Sequence, residues 1–167
     1  SVFEDTVSRY PDNIMLIFED RQWTYSQFNG EVNQLARILA SKGISRGDTV
    51  ALFMENRAEY ALSMLALLKL GVSGSLINNS LTGAALVHCL KATDARGCIV
   101  GAECSQRFAE VLDELKWKDG QPLLWFADSE ADKVPAWATD ARTEMSSMAQ
   151  TNLEVTRSIK AGETALY

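Results

Sequence analysis

Along most of the chain, short apolar runs of strand length alternate with longer stretches whose apolar residues recur at helical spacing. Phe3, Thr6 and Val7 predict a short helix that Pro11 stops. Ile14–Phe18 reads as a strand, and the polar residues Glu19 to Gln22 turn it back into Trp23-Thr24-Tyr25 as a small hairpin. A strong helix signal follows. Thr24 and Gln27 fit a capping box, in which hydroxyl and amide each satisfy an open backbone N–H. Phe28, Val32, Leu35, Ala36 and Leu39 then form one apolar stripe, and Gly43 stands where a left-handed cap is wanted.

After Gly47-Asp48, the run Thr49 to Met54 reads as a buried strand. Asn56 and Glu59 repeat the capping pattern ahead of a helix over Tyr60 to Leu70, which only Ser63 and Lys69 interrupt with polarity. A helix with no wet face is central or covered by something else. Gly71 ends it. Strands at Val72–Ile77, Cys98–Val100 and Leu123–Phe126 are separated by helices at Thr82–Thr93 and Ser105–Leu115. Strand and helix in alternation predict an α/β fold, a mostly parallel sheet with helices on its faces. Residues 1–127 form this α/β subdomain. Residues 128–167 lose the rhythm and read as a polar surface connection with one short helix.

Composition narrows the functions. The chain has 167 residues, a net charge of -6, and 22 acidic against 16 basic side chains. A sequence-blind nucleic-acid binder needs the opposite balance, so no nucleic-acid partner is expected. Cys89, Cys98 and Cys104 show no CxxC spacing, and His88 is the one histidine, too few ligands for a zinc site. They read as reduced thiols of an intracellular protein. Ser1 to Tyr10 mixes charge into its apolar residues, unlike a signal peptide. Tyr60 to Ile77 is broken by Lys69, serines and glycines, short of the about 20 apolar residues of a spanning helix.

In a parallel sheet the chemistry is expected at the carboxyl ends of the strands, here Glu55-Asn56-Arg57, Asn78-Asn79-Ser80-Leu81 and Gly101-Ala102-Glu103. Arg57 beside a helix start either holds an anion or is solvated next to a capping Asn56. Asn78 and Asn79 read as turn residues. Gly71-Val72-Ser73-Gly74 lacks both the Lys-Ser/Thr ending of a P-loop and a third glycine, and it lies at a helix end. His88 has no nucleophile partner in a recognisable motif and reads as structural or surface. The neighbouring carboxylates Glu4-Asp5 and Asp113-Glu114 diverge by about 100° on their helices and make no acid/base pair.

Several segments together resemble the AMP-forming acyl-CoA synthetases, the adenylate-forming enzymes. They are Trp23-Thr24-Tyr25-Ser26-Gln27-Phe28 with Asn33-Gln34-Leu35-Ala36, and Gly47–Leu52 leading into Glu55–Tyr60, followed by Leu67-Leu68-Lys69-Leu70-Gly71. Leu76–Leu81, His88-Cys89-Leu90 and Asp94-Ala95-Arg96 are similar to the fatty acid transport protein, or very-long-chain acyl-CoA synthetase, branch. Ser80 stands where that branch has a second Asn. The match is good over residues 1 to 115, and Glu163–Tyr167 looks like the lead-in to the family's phosphate loop.

The resemblance implies a ligase using ATP, Mg2+ and CoA on a fatty or other carboxylic acid, partnered by the remainder of the synthetase chain. It implies an intracellular place, cytoplasmic or peripheral to a peroxisomal or endoplasmic reticulum membrane. The family's catalytic, cofactor-binding and metal residues match no position here, so none is assigned, and the 167 residues are expected to be inactive alone and to hold no cofactor tightly. A self-contained flavodoxin-like nucleotide-binding or signalling domain, and a non-catalytic interaction module presenting Tyr60–Leu70, are the alternatives.

Overall fold

A computed structural model describes residues 2–117, 120–129 and 131–158. It opens with α1 (Val2–Arg9) and a hairpin of β1 (Ile14–Phe18) and β2 (Arg21–Thr24). The two-residue turn places Glu19 at φ 51. The second strand ends earlier than the pattern predicts. Thr24 caps α2 (Tyr25–Ser41), accepting from the Gln27 N–H while the Gln27 side chain accepts from Thr24, so Tyr25 is already helical.

Five parallel strands follow: β3 (Thr49–Phe53), β4 (Ser73–Leu76), β5 (Gly97–Gly101), β6 (Leu123–Phe126) and the two-residue β7 (Thr139–Asp140). Between them run α3 (Ala58–Leu70), α4 (Gly83–Ala92) and α5 (Ser105–Leu115), and α6 (Ala141–Met145) comes after β7. The spatial order is β4-β3-β5-β6-β7, with every pair parallel. Winding therefore reverses between β3 and β5, the order that flavodoxin-like sheets share.

Alternation along the strands sorts two cores. Val50, Leu52, Ile99, Leu124 and Phe126 face one cluster with α2, α3 and α6. Ala51, Phe53, Cys98 and Val100 face the other with α4 and α5. Every predicted stripe residue of α2, from Phe28 to Leu39, is buried.

Two expectations are corrected. Asn56 is exposed and caps nothing; Arg57 is the N-cap of α3 and makes no side-chain cap bond. The chain after Ala127 does more than connect. It adds β7 to the sheet edge and packs Ala141 and Met145 of α6 into the first core. The pattern missed β7 because two strand residues carry no period, while α6, little more than one turn, stands for the one short helix expected there. Glu163–Tyr167 lies outside the described residues.

Candidate functional site

The winding reversal opens a cleft of about 400 Å³ at the carboxyl ends of β3, β5 and β6, roofed by the hairpin. Two of the three loops singled out from the sequence meet there; Asn78–Leu81 does not line it. Arg57 lies at its centre, with its side chain only 11% exposed. Its Nε donates to Glu59 Oε2 at 2.9 Å, its NH1 to Glu103 Oε2 at 3.0 Å and to Asp128 Oδ1, and its NH2 to the Ala127 carbonyl at 2.6 Å. The guanidinium thus staples the ends of three strands. It is neither solvated nor open to an anion, which corrects both readings from the sequence.

Glu103 can fold back over the loop because Gly101 carries no Cβ, which would collide with both of its carboxylate oxygens. Its Oε1 accepts the Glu55 N–H at 2.6 Å. Glu59 uses its second oxygen on Arg142 NH2 at 2.7 Å, and Arg142 NH1 reaches Glu31 Oε2 at 2.5 Å. Glu31 in turn accepts from the Trp23 indole at 2.9 Å. Arg142 also lies over the Phe126 ring at 5.5 Å, a cation–π contact. Burial pushes the Glu59 carboxyl up, but hydrogen bonds and charge from Arg142 and Arg57 outweigh it and hold it below the usual range. Burial raises Asp128 more than Arg57 lowers it, with Glu103 adding to the rise.

The connected set holds four carboxylates (Glu31, Glu59, Glu103, Asp128) against two guanidiniums (Arg57, Arg142), and Glu19 and Glu55 line the same cleft. Five carboxylates (Glu19, Glu55, Glu59, Glu103, Asp128) line the cleft against Arg21 and the already bonded Arg57, an acidic balance that does not fit a triphosphate. Among the described residues no cluster of three or more His, Cys, Asp or Glu is placed to hold a metal ion.

The remaining candidates lie elsewhere. Asn78 Oδ1 accepts from the Ser80 N–H and hydroxyl at 2.9 and 2.8 Å, the turn expected of it. His88 is exposed on α4. Cys98 and Cys104 are buried free thiols, and burial raises both, which keeps them from acting as nucleophiles. The sequence reading passed over Lys69 and Arg142. Lys69 is 3% exposed and donates to Glu4, Asn29 and Asn33, each at 2.7 Å. One signal could have found it: a single lysine in a helix with no wet face is buried, and a buried ammonium must be paired.

A family model described as AMP-binding enzyme matches residues 3–164. The chain belongs to the AMP-binding enzyme family. Among curated relatives of the chain, the medium/long-chain-fatty-acid–CoA ligase FadD6 of Mycobacterium tuberculosis is 34% identical over 110 residues, 66% of this chain and 18% of the relative. Long-chain fatty acid transport protein 2 of Rattus norvegicus is 32% identical over 148 residues, 83% of this chain and 24% of the relative. The chain therefore spans about a fifth of the length of these relatives. The fold is shared with the anthranilate CoA ligase AuaEII in complex with anthranoyl-AMP, at a TM-score of 0.81 and 20% identity over 98% of this chain and 29% of that one. A Mycobacterium tuberculosis fatty acyl CoA synthetase gives the same TM-score and identity, over 98% of this chain and 30% of the other. Among the described residues no helix is long and apolar enough to cross a membrane.

Proposed function

We propose that this chain is the scaffold portion of an ATP-dependent ligase that activates a long- or very-long-chain fatty acid and transfers it to coenzyme A. The family match across residues 3–164, with fatty acid ligases and transport proteins as relatives, carries this reading. In such a reaction the carboxylate oxygen attacks the α-phosphorus of Mg-ATP and pyrophosphate leaves. The thiol of coenzyme A then attacks the acyl carbon and AMP leaves. Positioning and neutralisation of phosphate charge supply most of the acceleration.

The residues of this chain hold the frame for that chemistry and do not perform it. Support comes from the cleft and the network behind it, where Arg57 and Arg142 are spent on carboxylates of their own fold. The strand order favours a second reading, a self-contained flavodoxin-like nucleotide domain, but the acidic cleft opposes a phosphate ligand at the place such a domain would use.

ATP–pyrophosphate exchange with a panel of fatty acids tests the proposal. A polypeptide in which this chain continues to the length of its relatives is expected to exchange, and the 167 residues alone are expected to stay at background. Exchange by the 167 residues would remove the scaffold assignment. Silence of the longer polypeptide with every carboxylic acid tried would remove the ligase assignment.

A further inference from the structure

The chain after α6 lies along one face of α2, held through main-chain carbonyls and the side chains of Thr151 and Asn152, with Met148 and Leu153 packed against the first core. Gln34 Nε2 donates to the Met148 carbonyl at 3.0 Å, and Arg37 NH1 to the Ala149 and Thr151 carbonyls at 3.0 and 2.7 Å. Asn33 Nδ2 donates to the Gln150 carbonyl at 2.7 Å. Four consecutive carbonyls are thus taken by side chains of one helix. Thr151 Oγ1 adds a bond from Arg37 NH2 at 3.1 Å, and Asn152 Oδ1 accepts from Asn29 and Asn33 at 2.9 and 3.1 Å. Asn29, Asn33 and Arg37 are spaced by four residues, which aligns them on a single helical face.

Behind this row stands Lys69 of α3. Its ammonium takes the Oδ1 atoms of Asn29 and Asn33 at 2.7 Å each, with Glu4 Oε1 at 2.7 Å and Asn152 Oδ1 at 3.2 Å. An ammonium only donates, so both asparagine amides must present oxygen to the lysine and nitrogen to the segment. Lys69 therefore decides which way the two amides face.

We propose that Lys69, through Asn29 and Asn33 and together with Arg37, is a positioning residue that seats Met148–Asn152 and sets the course of the chain beyond α6. The seat takes four main-chain carbonyls together with the Thr151 and Asn152 side chains, so its occupant is this segment of the same chain. Its consequence for catalysis rests on the ligase reading above: the family match continues through the seat to residue 164, so residues that follow inherit their origin from it.

The test measures nicking by subtilisin between Met148 and Ser158, located by mass spectrometry. Lys69→Met, and separately Arg37→Gln with Asn152→Ala, are expected to raise that rate about tenfold or more, while sites in β3 and β5 keep theirs. A built Cβ on Gly30 lies 3.4 Å from the Gln150 Cβ, close to disulfide reach. Gly30→Cys with Gln150→Cys, in a Cys89→Ser background, is expected to return the Lys69→Met rate to that of the unsubstituted chain when oxidised and to lose the rescue on reduction. Unchanged nicking in both variants, a rise shared equally by β3 and β5, or a disulfide without effect would each overturn the proposal. In the longer polypeptide the same substitutions should lower pyrophosphate exchange and the disulfide should restore it. If the unsubstituted longer polypeptide shows no exchange, the ligase reading fails and the seat is judged by nicking alone.

Discussion

Arg57 and Glu59 illustrate how burial assigns a charged residue its role. An arginine beside a helix start can hold an anion, yet here its donors are taken by Glu59, Glu103, Asp128 and the Ala127 carbonyl. Glu59, with its side chain 8% exposed, serves Arg57 and Arg142 together. Removing its charge weakens two charge-assisted hydrogen bonds while Arg57 keeps Glu103 and Asp128 and Arg142 keeps Glu31, so Glu59→Gln is expected to cost about 2 kcal/mol at pH 7. Urea unfolding reads this directly. The pH dependence has a definite sign. Glu59 is held below 4.5 in the fold, so its contribution is whole above that pH and is lost as pH falls through the folded value. The variant should therefore show a flatter acid limb than the parent. A Glu59→Gln chain with the parent's midpoint and acid limb would show that the network adds nothing to stability.

At the scale of elements, local chemistry was legible wherever a local rule faced no competitor. The limits Ser105–Leu115 and Leu123–Phe126 are those the pattern predicts, and Thr24 caps as its spacing with Gln27 demands. Thr24→Ala is expected to destabilise by about 1 kcal/mol, the usual cost of a lost cap, in a denaturant titration. Gly71 closes α3 at φ 67, a conformation that strains any residue with a Cβ. Gly71→Ala should cost about 1 kcal/mol or more, and a neutral result would show that the cap relaxes. Asn56 failed for a tertiary reason. The carboxylate of Glu103, 48 residues on, binds the Glu55 N–H and helps hold Arg57, and Arg57 rather than Asn56 ends as the cap. No rule confined to four residues contains that information.

Across the whole molecule, two helical layers enclose the sheet, while the hairpin pairs only within itself. Ile17 in that hairpin is 61% exposed, and Leu68 on α3 is 37% exposed although most of its helix is covered. Large apolar side chains left in water bind dyes and partners. Ile17→Lys with Leu68→Lys is expected to lower hydrophobic-dye binding severalfold and to leave the unfolding midpoint within about 0.5 kcal/mol, as surface changes do. Dye binding equal to the parent's would place the exposed apolar surface elsewhere. The sequence by itself determined the alternating elements, the apolar stripe of α2 and the family resemblance, because periodicity and capping are encoded within a few residues. Only the tertiary structure decided that Arg57 is spent on the fold's own carboxylates and that Lys69 orients two asparagines. It alone seated the segment after α6 on α2. Apart from the Arg57–Glu59 pair, those outcomes depend on partners 36 to 123 residues apart, whose meeting is a property of the packed sheet and not of any stretch of chain.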